Sequence, residues 1–162
     1  MTVDDLLTFH GWVRKPFEVL FEHAGKVSPK EFVRQLEGFG MPTLRDQLVH
    51  IVECEDFWIT KLKGDEFQDI YSKAGFGSAG QVWAAYGPVA ERTREFLAGL
   101  TQEQVSAPRR ITFSRGEFVD LTPIQVVLHV ITHSFHHKGQ AVAMCRLLGY
   151  PPPETDLDAA FQ

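Results

Sequence analysis

Residues 129–140 read HVITHSFHHKGQ, which puts His129, His133, His136 and His137 within nine positions. A neutral imidazole can bind a divalent cation or carry a proton near neutral pH. On a helix, which turns about 100° per residue, the four fall within an arc of about 100°, and Gln140 joins them there. His133-x-x-x-His137 is the i, i+4 pair that lets two imidazoles from one helix reach a single ion. Spacing alone does not select which of the four would coordinate.

Two nitrogen ligands do not complete a site, so a third must come from another element. The chain has seven histidines in total. Of the remaining three, His50 is the candidate: it sits mid-helix in Leu48-Val49-His50-Ile51-Val52, where an unpaired polar group would be costly. Gln47 and Cys54 lie on the same face one turn to either side. Cys54 reads as small core filling, with a fourth ligand as the alternative. Gln140 can orient a ligand or a bound water, and His129 can support the site without coordinating. Glu53, Glu55 and Asp56 read as a solvated face, with Glu53 as a group that can support the site without coordinating.

Helices must hold these groups in place, and the sequence periodicity is mostly helical. The spacing predicts long helices from Asp4 to about His23, from Thr43 to about Lys63, from Ser78 to about Leu100, and from Thr122-Pro123 to Leu148. Ser28-Pro29-Lys30-Glu31 opens a short extra helix. Ser78 with Gln81 predicts a capping box, Gly64 and Gly149 are stop signals, and Pro88 falls inside the third long segment, where it can kink the helix. Residues 65–77 read as a loop. Residues 108–121, with Ser114-Arg115-Gly116 as a turn, suggest a small hairpin, with an irregular loop as the alternative. The tail from Glu154 is expected to be loosely held. The expected fold is all-α: a four-helix bundle of one domain, residues 1–162, with a long crossover before the last helix.

The chain has 162 residues and a formal charge of −5, with 44% hydrophobic and 23% charged residues. That charge, with no basic stripe, argues against nucleic acid as a partner. No apolar run approaches the roughly 20 residues of a membrane span. The opening MTVDDLLTFHGW has acids and no basic segment, so it does not read as a secretion signal. Cys54 and Cys145 form no CxxC, which suits a reducing cytoplasm. Gly75-Phe76-Gly77-Ser78-Ala79-Gly80 matches GxGxxG, but no strand precedes it and no βαβ unit surrounds it, so the glycines read as a loop. No GxSxG is present, and no serine or cysteine is marked as a nucleophile.

The segment from His129 to Gln140, the segment Leu44-Arg45-Asp46-Gln47-Leu48-Val49-His50 running on to Trp58, and the opening from Asp4 to Trp12 together resemble the DinB-like (DinB/YfiT-like) family of metalloproteins. The resemblance spans nearly the whole chain. It implies an up-down-down-up four-helix bundle, commonly a homodimer, with a divalent ion held by His50, His133 and His137. The family commonly carries Arg before Gly-Gln, where this chain has Lys138. On a helix Lys138 points away from the histidines, and Lys cannot replace Arg where two parallel hydrogen bonds are needed.

Three imidazoles leave an ion open to water or substrate, and zinc, nickel or iron would each suit them. By resemblance, the function is that of thiol-dependent S-transferases or isomerases using a low-molecular-weight thiol such as bacillithiol or mycothiol on a small-molecule substrate. The alternatives are metal-dependent hydrolysis, a non-catalytic metal-binding stress-response protein, and a metal-free helical interaction module. Val127, Ile131, Phe135 and Cys145 cluster opposite the histidines, so the last helix is apolar on most of its circumference. That pattern suggests a homodimer built partly on this helix.

Overall fold

The structure, a computed structural model, describes residues 1–161. Four long helices dominate it: α1 (Val3–Ala24), α3 (Leu44–Lys63), α4 (Ala79–Ala98) and α6 (Pro123–Leu147). Two short helices, α2 (Pro29–Phe32) and α5 (Gln102–Ser106), lie in the connections. The crossover before α6 holds an antiparallel hairpin, β1 (Arg109–Thr112) with β2 (Phe118–Leu121), in which Ile111 pairs with Val119. Helix α3 packs against α4 and α6, and α1 packs against the same two, so α1 is diagonal to α3 across the bundle. This is the expected all-α four-helix bundle, and the segment left open between hairpin and loop is a hairpin.

Local chemistry accounts for the ends of the two helices that carry the histidines. The Thr43 hydroxyl accepts from Asp46 N (3.0 Å) at the start of α3, and Gly64 ends it at φ +86°, where a side chain would be strained. Thr122 and Gln125 form a reciprocal capping box with Pro123 in the first turn of α6. At its far end Tyr150 N donates to Cys145 O (2.8 Å) across the αL residue Gly149. The start of α4 differs from expectation. Ser78 accepts from Gln81 N, but the Gln81 side chain reaches back to Gly77 N (2.7 Å) rather than to Ser78 N.

The core departs from the sequence reading in two places. Glu55 and Asp56, read as solvated, are buried at 2% and 8% exposure. Glu55 is the meeting point of three helices: His10 Nε2 (2.9 Å, α1), Tyr86 OH (2.9 Å, α4) and Thr93 Oγ1 (2.7 Å, α4) all donate to its carboxylate. Asp56 accepts from Tyr71 OH (2.7 Å) and Arg92 Nη2 (2.6 Å), which anchors the loop that precedes α4. The second departure is the apolar outer face of α6. It is covered by the chain itself: Phe135 packs edge-on against Phe17 of α1 at 5.7 Å, Val127 joins Leu6 and Leu97, and Cys145 is fully buried. The sequence argument that these residues need a partner chain therefore falls away. The tail is docked as well. Lys138 Nζ donates to Thr155 O beneath it, and Phe161 meets Trp12 edge-on at 4.9 Å.

Burial alone would raise the Glu55 pKa, but its hydrogen bond and ion pair with His10, with the hydroxyls of Thr93 and Tyr86, bring it below the ordinary carboxylate value. A carboxylate depressed in the folded state contributes stability that is complete above its unfolded pKa and is lost as pH falls through the folded value. Glu55→Ala would strand three buried donors and should cost about 3–5 kcal/mol, measured by urea unfolding at pH 7. The deficit relative to the wild type should shrink as the unfolding is repeated below pH 4.

Candidate metal centre

The α3–α6 contact brings His50 against His133 and His137. Ring centroids lie 5.1 Å apart for His50 and His133, 4.6 Å for His50 and His137, and 4.4 Å for His133 and His137. One ligand nitrogen from each can be chosen so that all three lie within 4.8 Å of one another. Among the described residues no other group of three or more His, Cys, Asp or Glu side chains has this geometry.

Hydrogen bonds fix how the rings are presented. Gln47 on α3 is fully buried, and its Nε2 donates both to Met41 O (3.1 Å) and to Gln140 Oε1 (2.6 Å). With the amide nitrogen so occupied, Gln47 Oε1 faces His137 Nδ1 at 2.7 Å and can only accept. His137 therefore carries its proton on Nδ1 and keeps a lone pair on Nε2 for a cation. Gln140 Nε2 in turn donates to His136 Nε2 (2.6 Å), which occupies that ring. His50 Nδ1 lies 3.4 Å from Glu53 Oε2, a long contact to a carboxylate that favours the same tautomer.

The donor set passes the test of fit. Burial, reinforced by the neighbouring imidazoles, pushes His133 and His137 down to about pKa 4, so both are neutral and ligand-competent at pH 7. His133 Nδ1 is buried with no hydrogen-bond partner, an unsatisfied nitrogen of the kind a buried polar site does not normally keep. Three convergent imidazoles suit zinc, nickel or ferrous iron.

The other candidates fall outside the triad. His129 is exposed and lies edge-on to Trp58 at 4.9 Å. Gln140 acts one step removed, through Gln47. Cys54 is not part of the group; burial, with the charges of Glu53 and Glu55, pushes its thiol up to about 12. Lys138 points away from the histidines, as the helix geometry requires, and its buried ammonium lies over the Phe135 ring at 4.7 Å. The role of Gln47 was not anticipated. Its signal was an amide one turn before His50 in a segment otherwise apolar on that side.

Beside the imidazoles a pocket of about 200 Å³ opens, with His50 and His133 in its wall and Cys54, Phe57, Trp58 and Phe67 around it.

A family model of the DinB family matches residues 2–161. This chain belongs to the DinB family. Among solved structures, a DinB-like protein from Bacillus cereus aligns over 87% of this chain and 91% of its own, with 18% identity and a TM-score of 0.67. A DinB-like protein from Bacillus subtilis aligns over 92% and 97%, with 16% identity and a TM-score of 0.61. At such identities the likeness is one of fold. No curated protein matches the sequence. For this DinB protein, the bundle is thus shared with those two structures.

Gln47→Leu keeps the volume and removes the acceptor that holds His137. We expect zinc affinity, measured by calorimetry, to fall about 10–100-fold while the far-ultraviolet circular dichroism is unchanged.

Proposed function

We propose that this DinB protein is a divalent-metal-dependent enzyme that activates a low-molecular-weight thiol for transfer to a small electrophile. The observation that carries the reading is the three-imidazole cluster of His50, His133 and His137 at the edge of an aromatic-walled pocket. A divalent ion held by His50, His133 and His137 would supply Lewis acidity, lowering the pKa of a thiol or water brought to it.

The chain's own residues do the remaining work. Gln47 holds the His137 ring in its ligand tautomer. Phe57, Trp58 and Phe67 exclude water from the approach and offer flat apolar surface to the electrophile. A closed structural site would need a fourth protein ligand, and the Cys54 sulfur is not among the atoms that converge with the three imidazoles. That favours an open, reactive site over a purely structural ion. A bound water in the same position would make the centre a hydrolase, which is the second reading. Two buried, unpaired cysteines suit a reducing interior, and we place the protein in the cytoplasm. We also propose a homodimer, on the resemblance of the chain to its family. Sedimentation at micromolar concentration should give twice the chain mass, and a monomer there would end that proposal.

The function is tested by loading the protein with zinc, nickel or iron and incubating it with bacillithiol, mycothiol or glutathione and a chlorodinitroaromatic electrophile. Turnover with at least one thiol is expected, and its loss together with bound metal in His133→Ala, at unchanged helicity, would tie the two. Absence of turnover with every thiol, with hydrolysis of activated esters instead, would shift the assignment to the second reading.

A further inference from the structure

The stripe of α3 that carries His50 continues beyond the imidazoles through Cys54 and Phe57 to Lys61, at spacings of four, three and four residues. Such spacings keep side chains on one face. Lys61 lies eleven residues after His50, or about 16 Å along the helix axis. The space between them is walled. The pocket beside His50 and His133 adjoins a second recess of about 380 Å³ that shares Phe57 and Phe67 with it and has Lys61, Thr112 and Phe113 in its wall. The hairpin supplies the far side: Phe113 stacks over Phe57 with rings 6.2 Å apart and 14° from parallel, and meets Trp58 edge-on at 6.1 Å. The loop supplies Phe67, edge-on to Phe57 at 5.2 Å.

Lys61 is placed unusually for a lysine. Its side chain is only 12% exposed, and its partner, Glu66 Oε2 at 3.3 Å, belongs to a side chain that is 93% exposed. An ion pair to so exposed a carboxylate is weak and easily exchanged. Arg110, nearby on the hairpin, is already held by both oxygens of Asp120 at 3.0 Å. The cation at the inner end of this recess is therefore one that a ligand's carboxylate can take over by displacing Glu66.

We propose that this cleft binds an elongated ligand in one orientation. Its donor end meets the three imidazoles, its apolar or planar middle lies among Phe57, Trp58, Phe67 and Phe113, and a carboxylate at its far end pairs with Lys61. The donor end rests on the proposed function; the carboxylate subsite does not. Lys61 is the residue that selects acids over neutral analogues of equal length, and the hairpin and loop are the two walls that make the selection depend on length.

The test compares mercaptooctanoic acid with mercaptooctanol, which differ only in the terminal carboxylate, on the cobalt-loaded protein. Calorimetry reads affinity, and the thiolate-to-cobalt charge-transfer absorption reads whether sulfur has reached the metal. The acid should bind about tenfold more tightly than the alcohol. Lys61→Met, which keeps the apolar stem, should erase the difference, and Glu66→Gln, which removes the internal competitor, should widen it. Equal binding of acid and alcohol, a preference that survives Lys61→Met, or no binding of either would overturn the proposal. Should Lys61→Met not fold, Glu66→Gln decides: an unchanged preference overturns the subsite. A Lys61-dependent preference without charge-transfer absorption would uphold the subsite and count against thiol activation at the metal. Absorption with no preference would do the reverse.

Discussion

The packing of α3 on α6 is the constraint from which the site follows. A helix can present an i, i+4 pair of imidazoles by itself, but a third nitrogen on the same point requires a second helix at fixed height and rotation. That height is set by an all-buried amide: Gln47 reaches across from α3, accepts a hydrogen bond from His137 Nδ1, and is itself held by Met41 O and Gln140. In a dry interior such a chain leaves little freedom, because shifting either helix by one turn would strand an amide group without a partner. The network that places the rings and the network that joins the two helices are one and the same.

A second polar knot does for the bundle what Gln47 does for the site. Glu55 gathers donors from α1 and α4 onto α3, and Asp56 beside it ties down the loop through Tyr71. Thus two acids adjacent in sequence serve different ends. One locks the helices, and the other positions the loop that carries Phe67 into the pocket wall. The pocket is accordingly built from secondary features of the fold, the loop and the hairpin, mounted on a rigid helix face. Such an arrangement keeps the imidazoles on the two packed helices and places part of the pocket wall on elements that tolerate change more readily.

Much of this was legible in the sequence, for reasons that differ by element. The ends of α3 and α6 are set by local signals, Thr43 and Gly64 on one and Thr122, Pro123 and Gly149 on the other, and local signals read correctly. The histidine face of α6 follows from helical periodicity alone, and His50 from being polar in an apolar run. What could not be read was tertiary. Glu55 and Asp56 look solvated in sequence because their partners, His10, Tyr71, Tyr86, Arg92 and Thr93, lie between 15 and 45 positions away. The outer face of α6 looked unpartnered because nothing in its own sequence says that α1 covers it. Gln47 looked like a flanking residue because its significance is a bond to a ring 90 positions on.

The central claim is that three imidazoles from two helices hold one divalent ion without a protein thiolate. X-ray absorption at the zinc edge of the stoichiometrically loaded protein addresses it directly. The account predicts nitrogen or oxygen neighbours at about 2.0 Å, with outer scattering from three imidazole rings and no sulfur in the absence of added thiol. A sulfur neighbour at about 2.3 Å, or scattering from fewer than three imidazoles, would contradict it.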